Sequence, residues 1–195
     1  MKTAMTTQEL MDGFIENPVI AAARDEAMFV KALASSSKLV FLLFGKLMEL
    51  EQQCAALKAA GKLVFIHIDL IDGLKADQQG LQYIAEKIKP HGIITTRGAS
   101  VRYAQELGLF TIQRIFMLDS SALTSGAGNV TNVSPDFVEL LPGISPKAIS
   151  LFAQKIHVPI IAGGLVLEKE DVFAALQAGA IAVSTSEEAL WEMNG

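Results

Sequence analysis

The chain has 195 residues, of which 51% are hydrophobic and 19% charged, and its formal net charge is −5 at pH 7. This composition excludes an intrinsically disordered chain, and the length suffices for one well-buried core. The acidic balance disfavours a protein that coats nucleic acid through its overall charge, so any RNA contact must use a local basic patch.

Membrane insertion and secretion are not expected. No apolar run approaches the roughly 18 residues that a transmembrane helix needs, because runs such as Leu39–Phe44 end at Gly, Lys or Asp. Residues 1–9 lack the apolar core of a secretory signal, and Cys54 is the only cysteine, which leaves no disulfide framework. We therefore expect a cytoplasmic protein without membrane contact.

Short β-rich apolar runs bounded by turn residues recur along the chain and predict strands. Several of them, such as Leu39–Phe44 and Leu63–Ile68, show little polar alternation, as expected for parallel strands covered on both faces. From the N-terminus onward, the eight predicted strands are Pro18–Arg24, Lys38–Gly45, Leu63–Asp69, Gly92–Arg97, Phe110–Leu118, Phe137–Gly143, Pro159–Leu165 and Ala180–Ser186.

Segments with apolar residues three and four positions apart lie between the strands and predict helices. Thr6–Glu9 matches a capping box, which predicts a short N-terminal helix over about residues 7–14 that closes the bottom of the sheet. Ser120–Pro135, which contains Gly and Asn, is predicted to be a long irregular connection. The other predicted helices are Leu47–Ala60, Gln79–Lys89, Ser100–Leu107, Pro146–Ile156 and Lys169–Ala178.

The alternation of strands and helices indicates βαβ units with right-handed crossovers, and therefore a parallel sheet. Eight such units close naturally into a barrel, whereas doubly wound open sheets more often stop at about five or six strands. We predict an α/β fold, a single small (β/α)8 barrel of the TIM type with parallel strands over residues 1–195.

The strongest functional signal follows the last two predicted strands. In a parallel barrel the functional face lies at the C-terminal ends of the strands. Glycines there let backbone N–H groups approach an anion, and hydroxyls and a helix N-terminus near residues 186–191 add donors. We predict that Gly163, Gly164, Ser184 and Thr185 bind a phosphate group. The alternative is that the two glycines only form a tight turn.

Polar residues at other strand ends suit the hydroxylated end of a phosphate ester, and we assign Arg24, Asp69, Glu139 and Gly143 to it. A carboxylate in the apolar strand of Glu139 is costly to bury without a partner. That partner could be a ligand hydroxyl or a Lys or Arg across the barrel mouth. His67 should point the same way as Asp69 by strand periodicity, but it is interpreted as a core histidine.

Several kinds of site are missing from the pattern. No lysine lies within a predicted strand near its C-terminal end, so a Schiff-base aldolase has no obvious nucleophile. His67, His91 and His157 do not group with other ligands, so no metal site is predicted. Dinucleotide and P-loop fingerprints do not occur, and no cofactor is predicted.

An ordered set of motifs spans the chain from Pro18 to Trp191: Pro18–Arg24, Phe41–Gly45, Gly61–Leu74, Gly92–Arg97, Thr111–Ser120, Glu139–Gly143, Pro159–Leu165 and Ala182–Ser186. The Ala-Gly-Gly and Ser-Thr-Ser runs within it occur in many phosphate-binding barrels and are weak evidence alone. Taken together and in this order, the motifs resemble the glycerol uptake operon antiterminator family.

This resemblance implies a non-catalytic regulator that senses glycerol 3-phosphate. Such a regulator acts on the leader mRNA of glycerol-utilisation genes to prevent premature transcription termination. The RNA partner would need basic residues, and Arg97, Arg102, Arg114 and Lys147 could form a basic rim for RNA phosphates. The alternative is that these four are ordinary solvated charges.

Two other functions remain open. The first is an isomerase or phosphodiesterase that acts on a small phosphate ester, with Asp69 and Glu139 as acid and base. The second is a ligand-sensing module that works through a protein partner. Large apolar residues such as Met28, Phe29 and Met48 could lie in the core or in the interface of a homo-oligomer.

Overall fold

The computed structural model describes residues 5–194 and forms a closed barrel of eight parallel strands, which confirms the predicted (β/α)8 fold. Residues 1–4 and 195, which the predicted domain included, lie outside the described residues. Strand order follows the sequence, and β8 closes the barrel against β1. The strands are β1 Val19–Ala23, β2 Leu39–Leu42, β3 Leu63–His67, β4 Gly92–Thr95, β5 Phe110–Phe116, β6 Phe137–Leu141, β7 Ile160–Gly163 and β8 Ala182–Thr185.

Helices connect consecutive strands and surround the barrel. A π-helical turn, Ile84–Ile88, continues the fourth helix. The described helices are α1 Thr7–Glu16, α2 Glu26–Ala34, α3 Leu50–Ala59, α4 Gln78–Tyr83, α5 Gly98–Glu106, α6 Ser120–Val133, α7 Pro146–Ala153, α8 Lys169–Gln177 and α9 Glu188–Trp191. None of them is long and apolar enough to cross a membrane.

Side chains of the strands enter two separate apolar layers, which explains why the strand sequences are apolar throughout. Alternate residues such as Phe41, Phe65 and Ile112 fill the barrel interior. Their neighbours, such as Val40 and Ile66, pack outward against the helices. Because every strand is covered on both faces, most strand positions are apolar, and the polar residues within the strands, such as Gln113 and Glu139, are buried.

The bottom of the barrel is covered by α1. The Thr6 hydroxyl accepts a hydrogen bond from the Glu9 N–H at 3.2 Å, and the Glu9 carboxylate accepts one from the Thr6 N–H at 2.6 Å, which completes a capping box. This cap starts the helix at the point that brings Leu10 and Phe14 under the strands, where both are buried. The Phe14 ring lies 4.8 Å from that of Phe137 between ring centroids.

The prediction of an irregular connection over Ser120–Pro135 was wrong, because α6 occupies most of it. The Asp119 carboxylate caps this helix by accepting a hydrogen bond from the Ala122 N–H at 2.8 Å. Gly126 faces the barrel, where an added Cβ would lie 3.1 Å from Cγ2 of Ile115. Close packing on β5 therefore outweighs the low helix propensity of the Gly and Asn residues.

The apolar residues that had two interpretations lie in different environments. Phe29 is buried, with an exposed fraction of 6%. Met48 lies just before α3 in the chain and is 90% exposed. Phe29 is therefore a core residue, and Met48 is a solvent-exposed residue of the single chain.

Candidate functional site

A buried ion pair lies at the C-terminal end of the barrel interior. Arg114 on β5 and Glu139 on β6 are direct partners in the strand register, and both side chains point inward. The Arg114 Nε donates to Glu139 Oε2 at 2.6 Å, and the two side chains are 10% and 2% exposed. The Ser184 hydroxyl on β8 donates to Glu139 Oε1, also at 2.6 Å. Of the two partners considered for Glu139, the structure therefore contains the arginine.

Gly163 leaves room for this cluster. A Cβ at Gly163 would lie 2.6 Å from both Glu139 Oε1 and Ser184 Oγ, closer than real Cβ atoms approach. The missing side chain lets the carboxylate of β6 reach the hydroxyl of β8 across β7. Gly163 thus lies beside the ion pair and makes the contact between Glu139 and Ser184 possible.

A cavity of about 320 Å³ opens above the cluster, between the ends of β1, β5, β6, β7 and β8. Five of the predicted ligand residues line it: Gly164, Ser184, Thr185, Arg24 and Glu139. Its other lining residues are Ala22, Leu43, Arg114, Leu141, Leu165, Val166, Leu167, Ser186 and Glu187. A volume of this size accommodates a small phosphate ester.

Arg24 differs from the other arginine of the cavity because none of residues 5–194 forms an ion pair with it. It follows β1 and is exposed. Arg114, by contrast, is neutralised by Glu139. Arg24 is therefore the cation that an anionic ligand can engage without breaking an existing pair.

The predicted phosphate residues divide into two kinds. Gly164 has a φ of +80°, a conformation that favours glycine, and this turn exposes the loop after β7 to the cavity. The Thr185 hydroxyl is already used, since it donates to the Val166 carbonyl at 2.7 Å and accepts from the Glu187 N–H at 2.9 Å. Thr185 therefore ties together the loops that form the cavity wall.

Two residues assigned to the polyol end do not line the cavity. Asp69 lies in a 3₁₀ turn, Ile68–Leu70, so the strand alternation from which its direction was predicted ends at His67. Its carboxylate accepts hydrogen bonds from Thr95 and Thr96 and thereby joins the ends of β3 and β4.

Gly143 is buried against β7 instead of facing the ligand space. Its N–H donates to the carbonyls of Gly163 at 2.6 Å and Gly164 at 3.0 Å. An added Cβ would lie 2.9 Å from the Gly163 nitrogen, so the position needs glycine for close backbone packing. The assignment of Gly143 to the polyol end is corrected accordingly.

The four basic residues proposed as a rim are not equivalent. Arg114 points into the barrel and is paired, so its assignment to an RNA rim was wrong. Arg97 is 60% exposed and its Nε lies 3.2 Å from Asp69 Oδ1. Arg102 and Lys147 are exposed, on α5 and α7 respectively.

His67, which we interpreted as a core histidine, is buried at the end of β3 with 3% exposure, and its Nδ1 has no hydrogen-bond partner among the described residues. Burial, and next the positive charge of Arg114, lower the pKa of His67 from 6.5 to about 4. The ring is therefore neutral at pH 7 in the folded protein. Strand alternation places His67 on the inner side of β3, as it does Phe65, and this pattern in the sequence could have identified His67 as a residue at the C-terminal end of the barrel interior.

The low pKa of His67 predicts a loss of stability in acid. Between pH 6.5 and 4 the unfolded chain binds a proton at this site that the folded chain does not, so the free energy of unfolding falls as the pH falls. We expect this residue to account for a loss of about 2 kcal/mol between pH 7 and pH 5. Urea denaturation at both pH values should show a smaller loss in His67→Gln, whereas equal losses in the two proteins would contradict the assignment.

Across residues 5–194, no group of three or more His, Cys, Asp or Glu side chains could hold a metal ion. The polar groups of the cavity are instead two guanidinium groups, hydroxyls, the paired carboxylate of Glu139, the exposed carboxylate of Glu187 and a glycine turn. This set suits an anion that also carries hydroxyl groups.

Comparison with known proteins identifies relatives over almost the whole chain. Residues 19–191 match the family described as glycerol-3-phosphate responsive antiterminator. The uncharacterized protein YgcP of Escherichia coli K12 is 35% identical over 178 residues, which cover 91% of this chain and 93% of that protein.

Two of the solved structures that are similar to this chain are named as antiterminator proteins. The glycerol uptake operon antiterminator regulatory protein of Listeria monocytogenes has a TM-score of 0.87 and 36% identity over 98% of this chain and 99% of its own. An antiterminator-related protein of Thermotoga maritima has a TM-score of 0.81 and 30% identity over 91% of this chain and 99% of its own. A deoxyribose-phosphate aldolase of Aeropyrum pernix has a TM-score of 0.67 but 12% identity over 95% of this chain and 96% of its own, a likeness that shows the fold alone. The chain belongs to the glycerol-3-phosphate responsive antiterminator family.

Proposed function

We propose that this protein senses glycerol 3-phosphate in the cavity at the ends of β6, β7 and β8. With the ligand bound, it acts in the cytoplasm on the leader mRNA of glycerol-utilisation genes to prevent premature termination. The observation that carries the proposal is the cation Arg24, which has no ion-pair partner in the described part of the chain and lines this cavity together with the glycine turn after β7.

The phosphate group would lie between Arg24 and the loops after β7 and β8. Gly164 keeps the first loop free of a Cβ, and Ser184 lies on the floor of the same space. Ser186, whose hydroxyl donates to the Ala22 carbonyl at 2.8 Å, braces the second loop against β1. Charge-assisted hydrogen bonds from a guanidinium to phosphate are among the strong ones in proteins.

The glycerol end would approach Glu139. Each oxygen of this carboxylate accepts one hydrogen bond from the protein, from Arg114 or from Ser184, and retains capacity for another. A ligand hydroxyl can use that capacity, whereas inorganic phosphate carries no glycerol hydroxyl. This arrangement favours the ester over its two fragments, glycerol and phosphate.

Regulation requires that the ligand bind two forms of the protein with different affinity. The loops after β7 and β8 form much of the cavity wall, so a ligand that bridges them favours the form in which they are closed together. We propose that this form is the one that contacts RNA, through exposed basic residues such as Arg97, Arg102 and Lys147.

The enzymatic alternative is less well supported by the geometry. It needs Asp69 and Glu139 as an acid and base on one substrate, but Asp69 does not line the cavity and its carboxylate bonds Thr95 and Thr96. Glu139 is engaged by Arg114 and Ser184. We therefore propose a non-catalytic regulator.

Calorimetric titration with glycerol 3-phosphate, glycerol and inorganic phosphate tests the ligand. We expect the ester to bind more tightly than either fragment, and Ser184→Ala to weaken it. In vitro transcription through a leader terminator tests the RNA step. We expect more transcripts to read through the terminator when the ester is present. Binding without any effect on RNA would favour a protein partner, and ester turnover measured by ³¹P NMR would favour an enzyme. The absence of ester binding would refute the sensor.

A further inference from the structure

A second and larger cavity adjoins the first at the same end of the barrel, beside the loops that follow β1, β2 and β3. Its volume is about 790 Å³, and Arg24 and Leu43 line both cavities. A group bound to Arg24 in the first cavity is therefore next to the second. Other residues that line the second cavity include Glu26, Gly45, Lys46, Glu49, Gln53 and Asp72.

Gln53 gives this cavity a buried acceptor that lacks a donor. Gln53 is only 6% exposed. Its Nε2 donates to Glu26 Oε2 at 3.2 Å, and because a carboxylate only accepts, this bond fixes which end of the amide is oxygen. Oε1 has no hydrogen-bond partner among residues 5–194. A buried acceptor without a partner is unfavourable, so a donor from a ligand would be stabilised here.

Gly45 lies close to this oxygen. It has a φ of +129°, and a Cβ there would lie 3.2 Å from Gln53 Oε1. The adjoining loops are also held together, since the Asp72 N–H donates to the Gly45 carbonyl and the Leu47 N–H donates to the Asp72 carbonyl, both at 2.9 Å. The acceptor therefore lies in a fixed wall of the second cavity, close against Gly45.

The charges of the second cavity indicate what it binds. Four carboxylates line it, against the two cations Arg24 and Lys46. The Lys46 Nζ lies 3.4 Å from Glu49 Oε1, so its charge is partly compensated within the cavity. A surplus of acceptors disfavours a second phosphate and favours a group with hydrogen-bond donors, either hydroxyl or ammonium.

We propose that the two cavities form one extended site for a glycerol phosphodiester. The glycerophosphoryl part would occupy the first cavity with its phosphate at Arg24, and the second, donor-bearing alcohol would occupy the second cavity and donate to Gln53 Oε1. This inference rests on the proposed binding of a glycerol phosphate in the first cavity. It adds glycerol phosphodiesters as a class of ligand and Gln53 as the residue that recognises the second alcohol.

Calorimetry with glycerol 3-phosphate and three diesters tests the inference. Glycerophosphoethanolamine offers an ammonium donor and glycerophosphoglycerol offers hydroxyl donors, whereas the trimethylammonium group of glycerophosphocholine has no N–H. We expect Gln53→Met to weaken the binding of the first two diesters by about 5- to 100-fold, the effect of losing one hydrogen bond. Glycerol 3-phosphate and the choline diester should be unaffected. The matched control is Gln82→Met, the same change at an exposed glutamine that also donates to a glutamate but lines neither cavity.

The two proposals fail in different ways. If glycerol 3-phosphate binds but the ethanolamine and glycerol diesters do not, or if Gln53→Met leaves them unchanged, the extended site is wrong and the sensor stands. If these diesters bind in a Gln53-dependent manner and the monoester does not, the extended site stands and the monoester sensor is wrong. Hydrogen exchange on the unmodified protein adds a test that needs no variant. Diester, but not glycerol 3-phosphate, should protect amides of residues 45–50, and equal protection by both would contradict the inference.

Discussion

Replacement of Glu139 by leucine should lower the free energy of unfolding by about 3–5 kcal/mol, as measured by urea denaturation. The physical reason is that Arg114, whose side chain is only 10% exposed, would be left as a buried charge without its partner. The Ser184 hydroxyl would lose its acceptor at the same time. This loss would be a large part of the stability of a typical domain.

The double variant Glu139→Leu, Arg114→Met is the matched control. Replacing both members of a buried ion pair by apolar residues of similar size is often nearly neutral. We therefore expect the double variant to recover most of the stability that Glu139→Leu loses. A loss below about 1 kcal/mol in the single variant would show that the pair is solvated or rearranges, contrary to the buried geometry.

Replacement of Arg24 by alanine should weaken the binding of glycerol 3-phosphate by about 10- to 100-fold, because hydrogen bonds to charged groups contribute about 1.5–3 kcal/mol. The fold should tolerate the change, since Arg24 is exposed and forms no ion pair with the residues that the structure describes. Calorimetric titration of the folded variant measures the effect.

Two further variants separate charge from position. Arg24→Lys keeps the charge but loses the planar fork, so we expect an intermediate affinity. Arg102→Ala removes an exposed arginine on α5 that does not line the cavity, and it should leave the affinity unchanged. An Arg24→Ala variant that binds within twofold of the original protein would place the phosphate elsewhere.

The parallel barrel could be predicted because each strand carries its own signal. A segment such as β2 is short and apolar at every position, the pattern expected of a strand buried on both faces. The alternation with helices then restricts the topology to βαβ units. The helix α6 could not be predicted in this way, because its Gly126 packs closely against Ile115 and Phe152, which belong to other elements of the fold.

The candidate site was predictable in part. Gly164 and Ser184 were identified because the last two strands of such a barrel end at one corner, whatever the details of side-chain packing. The role of Glu139 stayed open between a ligand and an arginine, because the choice depends on the register between β5 and β6. A one-residue shift of register would have moved Arg114 to the other face of the sheet.

Local patterns in the sequence thus specify the strands, the helix caps and the end of the barrel where a phosphate ester would bind. The tertiary structure specifies which polar groups meet there. Asp69 lies in the turn after β3 and bonds Thr95 and Thr96, whereas Arg114 lies inward on β5 directly beside Glu139. Such pairings depend on distances between separate strands, and a buried charge is stable only beside a partner that the linear sequence does not identify.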